Sequence, residues 1–125
     1  MIPSDTKRLL ERKGYKIVGS HSAVKLCHWL KKSLRGEGVC YKERFYGIRS
    51  HLCLQMSPSL LWCGQACIFC WRPVEHKGFL NTKWDEPERI VKESITAQRE
   101  LLSGFFGALD KIDKKKLIEA QNPKS

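Results

Sequence analysis

Leu60-Leu61-Trp62-Cys63-Gly64-Gln65-Ala66-Cys67-Ile68-Phe69-Cys70-Trp71 is a run that places three cysteines in the spacing C-x3-C-x2-C. Three thiolates leave one iron of a four-iron cluster open to another ligand, whereas four thiolates fill every iron and permit only electron transfer. Gly64 and Ala66 keep the loop slim, so that its backbone can approach a cluster closely. The run therefore predicts an iron–sulfur centre with one open iron, held by Cys63, Cys67 and Cys70.

The remaining cysteines are also regularly spaced, because Cys27, Cys40 and Cys53 follow the pattern C-x12-C-x12-C. The chain begins without an apolar run of signal-peptide length, and no stretch is apolar enough to span a bilayer. We therefore expect a cytoplasmic protein with no membrane partner. In that reducing compartment six cysteines indicate metal or redox chemistry rather than disulfides.

The composition indicates a folded, basic protein. The 125 residues are 42% hydrophobic and carry a formal net charge of +10. Much of the excess lies between residues 25 and 51, where Lys and Arg outnumber Glu. A basic segment of this kind is either a solvated face or a surface that binds the phosphates of RNA, and charge alone does not separate the two.

Periodicity and punctuation residues predict a mixed helix and strand order. Helices are predicted over residues 5–13, from Ser20 or Ser22 to about residue 36, over 85–103 with Asp85 as N-cap, and over 113–121. Cys27 lies on the apolar stripe of the second of these. Residues 52–56 and 60–62 predict a buried strand that enters the cysteine loop, and residues 73–84 predict a polar loop.

The cysteine loop, with aromatic Phe69 just before its last cysteine, resembles the signature of radical S-adenosylmethionine enzymes. The resemblance implies an α/β fold, namely a radical SAM (β/α) barrel preceded by a helical extension. It also implies a 4Fe-4S cluster on Cys63, Cys67 and Cys70 whose open iron binds S-adenosyl-L-methionine. Phe69 would then lie near the adenine of that cofactor.

Five further runs resemble the archaeal type of tRNA 4-demethylwyosine synthase: residues 40–51, 55–58, 70–72, 84–87 and 102–104. The resemblance implies a second 4Fe-4S cluster on Cys27, Cys40 and Cys53 that binds pyruvate. It implies condensation of pyruvate with N1-methylguanosine of phenylalanine tRNA, with a separate electron donor such as a flavodoxin or ferredoxin. Lys42 matches the family lysine suggested to form a Schiff base with pyruvate, although a lysine in a basic stretch is also an ordinary phosphate contact.

The resemblance is to the amino-terminal portion of the family chain. A complete α/β barrel needs on the order of 200 residues, whereas this chain stops soon after the cysteine loop. We expect an incomplete barrel, with residues 1–51 as a helical extension and residues 52–125 as the first part of the radical SAM domain. Such a piece is expected to be inactive by itself.

Two other functions remain open on the sequence. A zinc-binding RNA module would use the cysteines with His28 or His51 in tetrahedral sites, although the twelve-residue intervals are not those of zinc knuckles. Another radical SAM enzyme with an auxiliary cluster would show the same two triads. A ferredoxin-like electron carrier fits poorly, because it needs four cysteines per cluster.

Overall fold

The computed structural model describes residues 2–73 and 83–124. Its elements in chain order are α1 Ser4–Arg12, β1 Tyr15–Val18, β2 Ser22–Lys25, α2 His28–Leu34, α3 Tyr41–Tyr46, β3 Met56–Ser57, α4 Pro87–Ser103 and α5 Lys114–Ala120. Two 3-10 segments, Ser50–Leu52 and Gly104–Lys111, join them. The predicted polar loop over residues 73–84 falls mostly on residues 74–82, which lie outside the described residues.

Internal contacts divide the chain into two compact units. The first comprises residues 1–24 and 56–94, and the second comprises residues 25–55 and 95–125. Cys63, Cys67 and Cys70 belong to the first unit, whereas Cys27, Cys40 and Cys53 belong to the second. The predicted domains, residues 1–51 and 52–125, stay a prediction.

The first unit is built on a small open sheet. Its strand order is β1-β2-β3, and β2 pairs antiparallel with β3 so that Ala23 faces Ser57 and Val24 faces Met56. Gly14 ends the turn after α1 with a φ of 90°, a conformation that glycine adopts without strain. The core of this unit consists of six buried side chains: Ile2, Leu10, Tyr15, Ala23, Leu60 and Leu61.

The second unit is helical. Its core consists of Leu26, Leu30, Leu34, Leu102, Leu117 and Ala120. Cys27 packs against this core. Asp113 caps α5 by accepting a hydrogen bond of 3.2 Å from the amide of Lys116, and its own amide donates to the Leu34 carbonyl at 2.7 Å. This caps α5 and ties its start to the end of α2.

The prediction of one helix from Ser20 or Ser22 to residue 36 is wrong in its first part. Residues Ser22–Lys25 form β2, and the helix begins only at His28. The four consecutive residues 21–24 are all fully buried, which a strand in a covered sheet permits and the single apolar stripe of a surface helix does not.

The predicted buried strand is also mostly wrong. Only Met56–Ser57 form β3, and Ser50–Leu52 form a 3-10 turn. Leu60 and Leu61 are buried as predicted, but they follow Pro58, and the Trp62 amide donates to the Ser59 carbonyl at 3.2 Å in a turn. Local turn bonding therefore replaces strand pairing immediately before the cysteine loop.

The long helix is confirmed, although its predicted cap is not. The helix α4 begins at Pro87, and Gly104 follows its last residue as predicted. The carboxylate of Asp85 accepts a hydrogen bond of 2.8 Å from the Ser20 amide, far away in sequence, instead of capping α4. Among the described residues, no helix combines the length and apolar character needed to cross a bilayer.

Candidate functional site

The cysteine loop of the first unit is partly open to solvent. Cys67 is exposed, whereas Cys63 and Cys70 are half-buried, and all six cysteines of the chain are thiols. The amide of Cys70 donates to the carbonyl of Cys67 at 3.0 Å, and the amide of Gln65 donates to the Cys63 sulfur at 3.4 Å. Backbone hydrogen bonding thus shapes the loop and supplies a donor to one of its sulfurs.

Arg72 contacts the cysteine loop, although the sequence analysis gave it no role. Its Nη2 donates to the Cys63 sulfur at 3.3 Å, and its Nη1 donates to the Ser59 carbonyl at 3.3 Å. The hydrogen bond to Cys70 is the main reason that the pKa of Arg72 is raised above its usual value. The signal in the sequence is a cation two residues after the last cysteine of the motif, where it can favour thiolates.

Aromatic contacts hold both ends of the loop. Trp71 stacks on Tyr15 with ring centroids 6.2 Å apart, and the Tyr15 hydroxyl donates to the Trp71 carbonyl. The Trp62 ring meets His21 edge-on at 6.2 Å. Because Tyr15 lies in β1 and His21 directly precedes β2, both ends of the loop pack against the small sheet.

His21 is a second residue that sequence reasoning missed. It is fully buried, and its Nε2 accepts a hydrogen bond of 2.9 Å from the Asp85 amide. The ring proton is therefore assigned to Nδ1, which donates to the Pro58 carbonyl. His21 thereby joins the start of the long helix to the segment that leads into the cysteine loop.

The second cysteine triad lies on three short elements of the second unit. Cys27 is the N-cap residue of α2, Cys40 is the N-cap residue of α3, and Cys53 follows the 3-10 turn Ser50–Leu52. All three are half-buried. In this unit α2 and α5 both pack against the 3-10 turn.

Ser50 links two of these three elements. Its hydroxyl oxygen accepts a hydrogen bond of 2.9 Å from the Cys40 amide and donates to the Glu43 carboxylate at 3.0 Å. The Gln98 side-chain amide donates to the Cys53 carbonyl at 3.1 Å. Buried side chains therefore fix the backbone at Cys40 and at Cys53.

His51 is fully buried and precedes Cys53 by two residues in the sequence. Burial lowers its pKa, so that the ring is neutral near pH 7. Its Nε2 lies 3.5 Å from the Glu119 carboxylate, which also pairs with Arg49 at 2.9 Å. Burial opposes ionisation of Glu119, but the His51 hydrogen bond and the Arg49 charge outweigh it and lower the Glu119 pKa. His51 Nδ1 has no hydrogen-bond partner among the described residues.

Lys42 and Phe69 are both exposed. Lys42 lies in the first turn of α3, two residues after Cys40. The Phe69 side chain is 87% exposed and lines a cavity of about 360 Å³ together with Cys67, Cys70 and Arg72. His28, the other histidine considered as a ligand, is exposed and lies edge-on to Trp29.

By residue type, each triad provides three thiols, the number that a four-iron cluster with one open iron requires. Within residues 2–73 and 83–124, no three His, Cys, Asp or Glu side chains are grouped closely enough to form a metal site. The hydrogen bonds from Arg72 and Gln65 to the Cys63 sulfur favour the thiolate form. The residues present in the cysteine loop therefore fit a cluster by their chemistry.

The chain is similar in sequence to proteins that share one enzyme name. The chain is 57% identical over 127 residues to the S-adenosyl-L-methionine-dependent tRNA 4-demethylwyosine synthase of Pyrococcus abyssi, covering 98% of this chain and 36% of that protein. It is 45% identical over 111 residues to the human enzyme of the same name, TYW1, covering 86% of this chain and 15% of that protein. The chain thus spans about a third of the archaeal relative. No family model matches it.

Two solved structures share the fold. A structure of TYW1 with a lysine-pyruvate adduct bound superposes with a TM-score of 0.83 at 42% identity, covering 99% of this chain and 40% of that one. A crystal structure of archaeal TYW1 gives a TM-score of 0.77 at 36% identity, with the same coverage. Sequence and fold therefore show that the chain is homologous, along nearly its whole length, to part of the S-adenosyl-L-methionine-dependent tRNA 4-demethylwyosine synthases. This homology confirms the resemblance seen in the sequence.

Proposed function

We propose that this chain takes part in the condensation of pyruvate with N1-methylguanosine of phenylalanine tRNA, the reaction of the tRNA 4-demethylwyosine synthases. The observation that carries the proposal is the presence of two cysteine triads in a chain homologous to those enzymes over 98% of its length. Because the chain spans 36% of that relative, the roles proposed for it are those that its own residues support. These roles are cluster binding and pyruvate capture.

In this proposal Cys63, Cys67 and Cys70 hold one 4Fe-4S cluster, and Cys27, Cys40 and Cys53 hold a second. Bound there, the clusters and S-adenosyl-L-methionine supply radical chemistry at the N-methyl group of the guanosine. Arg72 places its positive charge against the sulfurs of the first site. Phe69 offers an exposed aromatic face, beside Cys67 and Cys70, to the adenine of the cofactor.

Lys42 is the proposed pyruvate-binding nucleophile. Its neutral amine adds to the ketone carbon of pyruvate, the oxygen leaves as water, and a carbon–nitrogen double bond forms. Three observations support this role: Lys42 is exposed, it lies two residues after Cys40, and a structure similar to this chain holds a lysine-pyruvate adduct.

The remaining roles extend the same proposal. In this proposal the chain contributes the first part of a (β/α) barrel, and the small open sheet lies in the same compact unit as the cysteine loop. A separate flavodoxin or ferredoxin supplies electrons. The reaction takes place in the cytoplasm, where cysteines stay reduced and available as ligands.

Iron content tests the cluster assignment. After anaerobic reconstitution with iron and sulfide, we expect about eight irons per chain, as two four-iron clusters require, and broad visible absorption. Cys67→Ala and Cys27→Ala should each remove about half of the iron, and the double variant should remove nearly all. A colourless protein that retains stoichiometric zinc would refute the cluster assignment and favour the zinc-binding alternative.

Chemical trapping tests the role of Lys42. With pyruvate and sodium borohydride, the proposed imine is reduced to a stable secondary amine, and peptide mass spectrometry should find the modification on Lys42. Lys42→Arg should abolish this modification while leaving the iron content unchanged. Lys31→Arg is the matched control, because Lys31 lies in the same basic segment. Equal labelling of several lysines would refute a specific nucleophile.

A further inference from the structure

A groove in the second unit contains aromatic and cationic side chains that the proposed chemistry does not use. It has a volume of about 510 Å³, within the range of about 300–1,000 Å³ typical of ligand sites. Its aromatic side chains are Trp29, Tyr41 and Phe45, and its cations are Arg44 and Lys116. Among the described residues that line it, none is acidic.

The helix α3 presents one face to this groove. Tyr41, Arg44 and Phe45 stand at positions i, i+3 and i+4, which share a side of a helix. The aromatic rings are open to solvent, because the exposed fractions are 59% for Tyr41, 72% for Phe45 and 42% for Trp29. Lys42, on the same helix, is not among the groove residues.

The cations are available to a ligand. Neither Arg44 nor Lys116 forms an ion pair with any residue of the described ranges. The Lys116 ammonium lies 3.4 Å from both the carbonyl and the hydroxyl of Ser33, which are neutral acceptors and leave its charge uncompensated. Gly38 lies beside the indole of Trp29, since a Cβ there would make ordinary van der Waals contact with the ring at 3.4 Å.

We propose that this groove binds unpaired nucleotides of an RNA loop, with a base stacked on Phe45 and its flanking phosphates on Arg44 and Lys116. This inference rests on the proposed function, whose substrate nucleoside lies beside the anticodon. Solvated aromatic rings next to uncompensated cations are the arrangement that stacks bases and binds the backbone of single strands. The charge of the groove favours a polyanion over an apolar polypeptide.

Fluorescence anisotropy with a labelled RNA hairpin tests the proposal. The hairpin carries the anticodon loop of phenylalanine tRNA, and a blunt duplex with the same stem serves as the unlooped probe. Phe45→Leu removes the aromatic plane while keeping an apolar side chain, and it should weaken hairpin binding by roughly 5- to 150-fold. Phe45→Tyr should restore tight binding. Arg44→Gln should reduce the slope of log affinity against log salt by about one.

Phe106→Leu is the matched control, because Phe106 is a partly exposed phenylalanine of the same unit outside the groove. Its affinity for the hairpin should equal that of the wild type. If both leucine variants weakened hairpin binding equally, or if neither weakened it, the proposed binding groove would be refuted. The thermal unfolding midpoint of Phe45→Leu should also stay close to that of the wild type. If it fell as far as the midpoint of a core variant such as Leu117→Ala, Phe45 would be a packing residue and the proposal would be overturned.

The proposed function is judged separately. Iron content and borohydride trapping do not involve RNA, so a protein that passes both tests but binds the hairpin no better than the duplex refutes the groove alone. Failure of both tests together with groove-dependent hairpin binding would refute the proposed reaction and leave an RNA-binding protein.

Discussion

Arg72 is placed to affect the cluster that we propose on the cysteine loop. Its guanidinium contacts the Cys63 sulfur and the Ser59 carbonyl, and the hydrogen bond to Cys70 raises its pKa. A cation that donates to a sulfur ligand stabilises the reduced, more negative state of a cluster more than the oxidised state. Arg72 should therefore raise the reduction potential of the cluster on the cysteine loop.

The prediction at the scale of the residue is that Arg72→Gln lowers this potential without removing the cluster. Loss of a charge-assisted hydrogen bond should lower the reduced-to-oxidised ratio at a fixed potential about tenfold, which is about 59 mV for one electron. The measurement is a redox titration followed by electron paramagnetic resonance, with iron content as the control. Arg72→Lys, which keeps the charge, should fall between the two. An unchanged potential in the glutamine variant would refute the role.

Ser50 acts at the scale of the element, because it joins the start of α3 to the 3-10 turn that precedes Cys53. It is 2% exposed, and its hydroxyl both accepts from the Cys40 amide and donates to Glu43. Removing the hydroxyl leaves a half-buried amide and a carboxylate without their partner. The cost of unsatisfied groups of this kind is about 1–3 kcal/mol.

We expect Ser50→Ala to reduce the free energy of unfolding by about 1–3 kcal/mol and to loosen iron at the second triad selectively. Iron release to a chelator should become faster for about half of the bound iron, while the half on the cysteine loop keeps its wild-type rate. Ser103→Ala is the control, because Ser103 is exposed and its hydroxyl donates to the Glu100 carbonyl within α4. Uniform release from both sites would contradict the assignment of Cys40 and Cys53 to one cluster.

At the scale of the whole molecule, the stability of the chain should depend on pH through Asp85. The hydrogen bond from the Ser20 amide lowers the pKa of this carboxyl below its usual value. A lowered pKa in the folded state contributes stability above the unfolded pKa of about 3.9. That contribution is lost as the pH falls through the folded value, because protonation then occurs in both states.

Urea unfolding of wild type and Asp85→Asn between pH 3 and pH 7 measures this contribution. The wild type should be more stable near neutral pH, and the gap between the two should shrink as the pH falls below about 4. Acid effects from the buried His51 are common to both proteins and cancel in the difference. A gap that is constant with pH would show that Asp85 acts through packing alone.

Gly19 lies in the turn between β1 and β2, immediately before the residues where the sequence predicted the start of a helix. Its φ is +58°, and a Cβ at this position would lie 2.2 Å from the Asp85 carboxylate. The Asp85 carboxylate therefore packs against the backbone of the turn between β1 and β2, where only a residue without a side chain leaves room for it. The hydrogen bond between Ser20 and Asp85 joins residues 65 positions apart, and nothing in the local pattern of residues 19–22 indicates it.

The amino-acid sequence by itself determined the features that depend on neighbouring residues. These are the spacing of both cysteine triads, the basic segment, the helices α1, α4 and α5, and the resemblance that the comparisons confirmed. Each depends on residue types at fixed short intervals, so that a single segment contains its whole signal.

Only the tertiary structure decided how those segments are held. It brought together the hydrogen-bonded pairs His21 with Asp85, Ser50 with Cys40, and Arg72 with the Cys63 sulfur. It also turned residues 22–25 into a strand, because β3 supplies the pairing partner from more than 30 positions away. Such contacts depend on the free energy of folding the whole chain, and a local pattern cannot encode a partner that lies outside it.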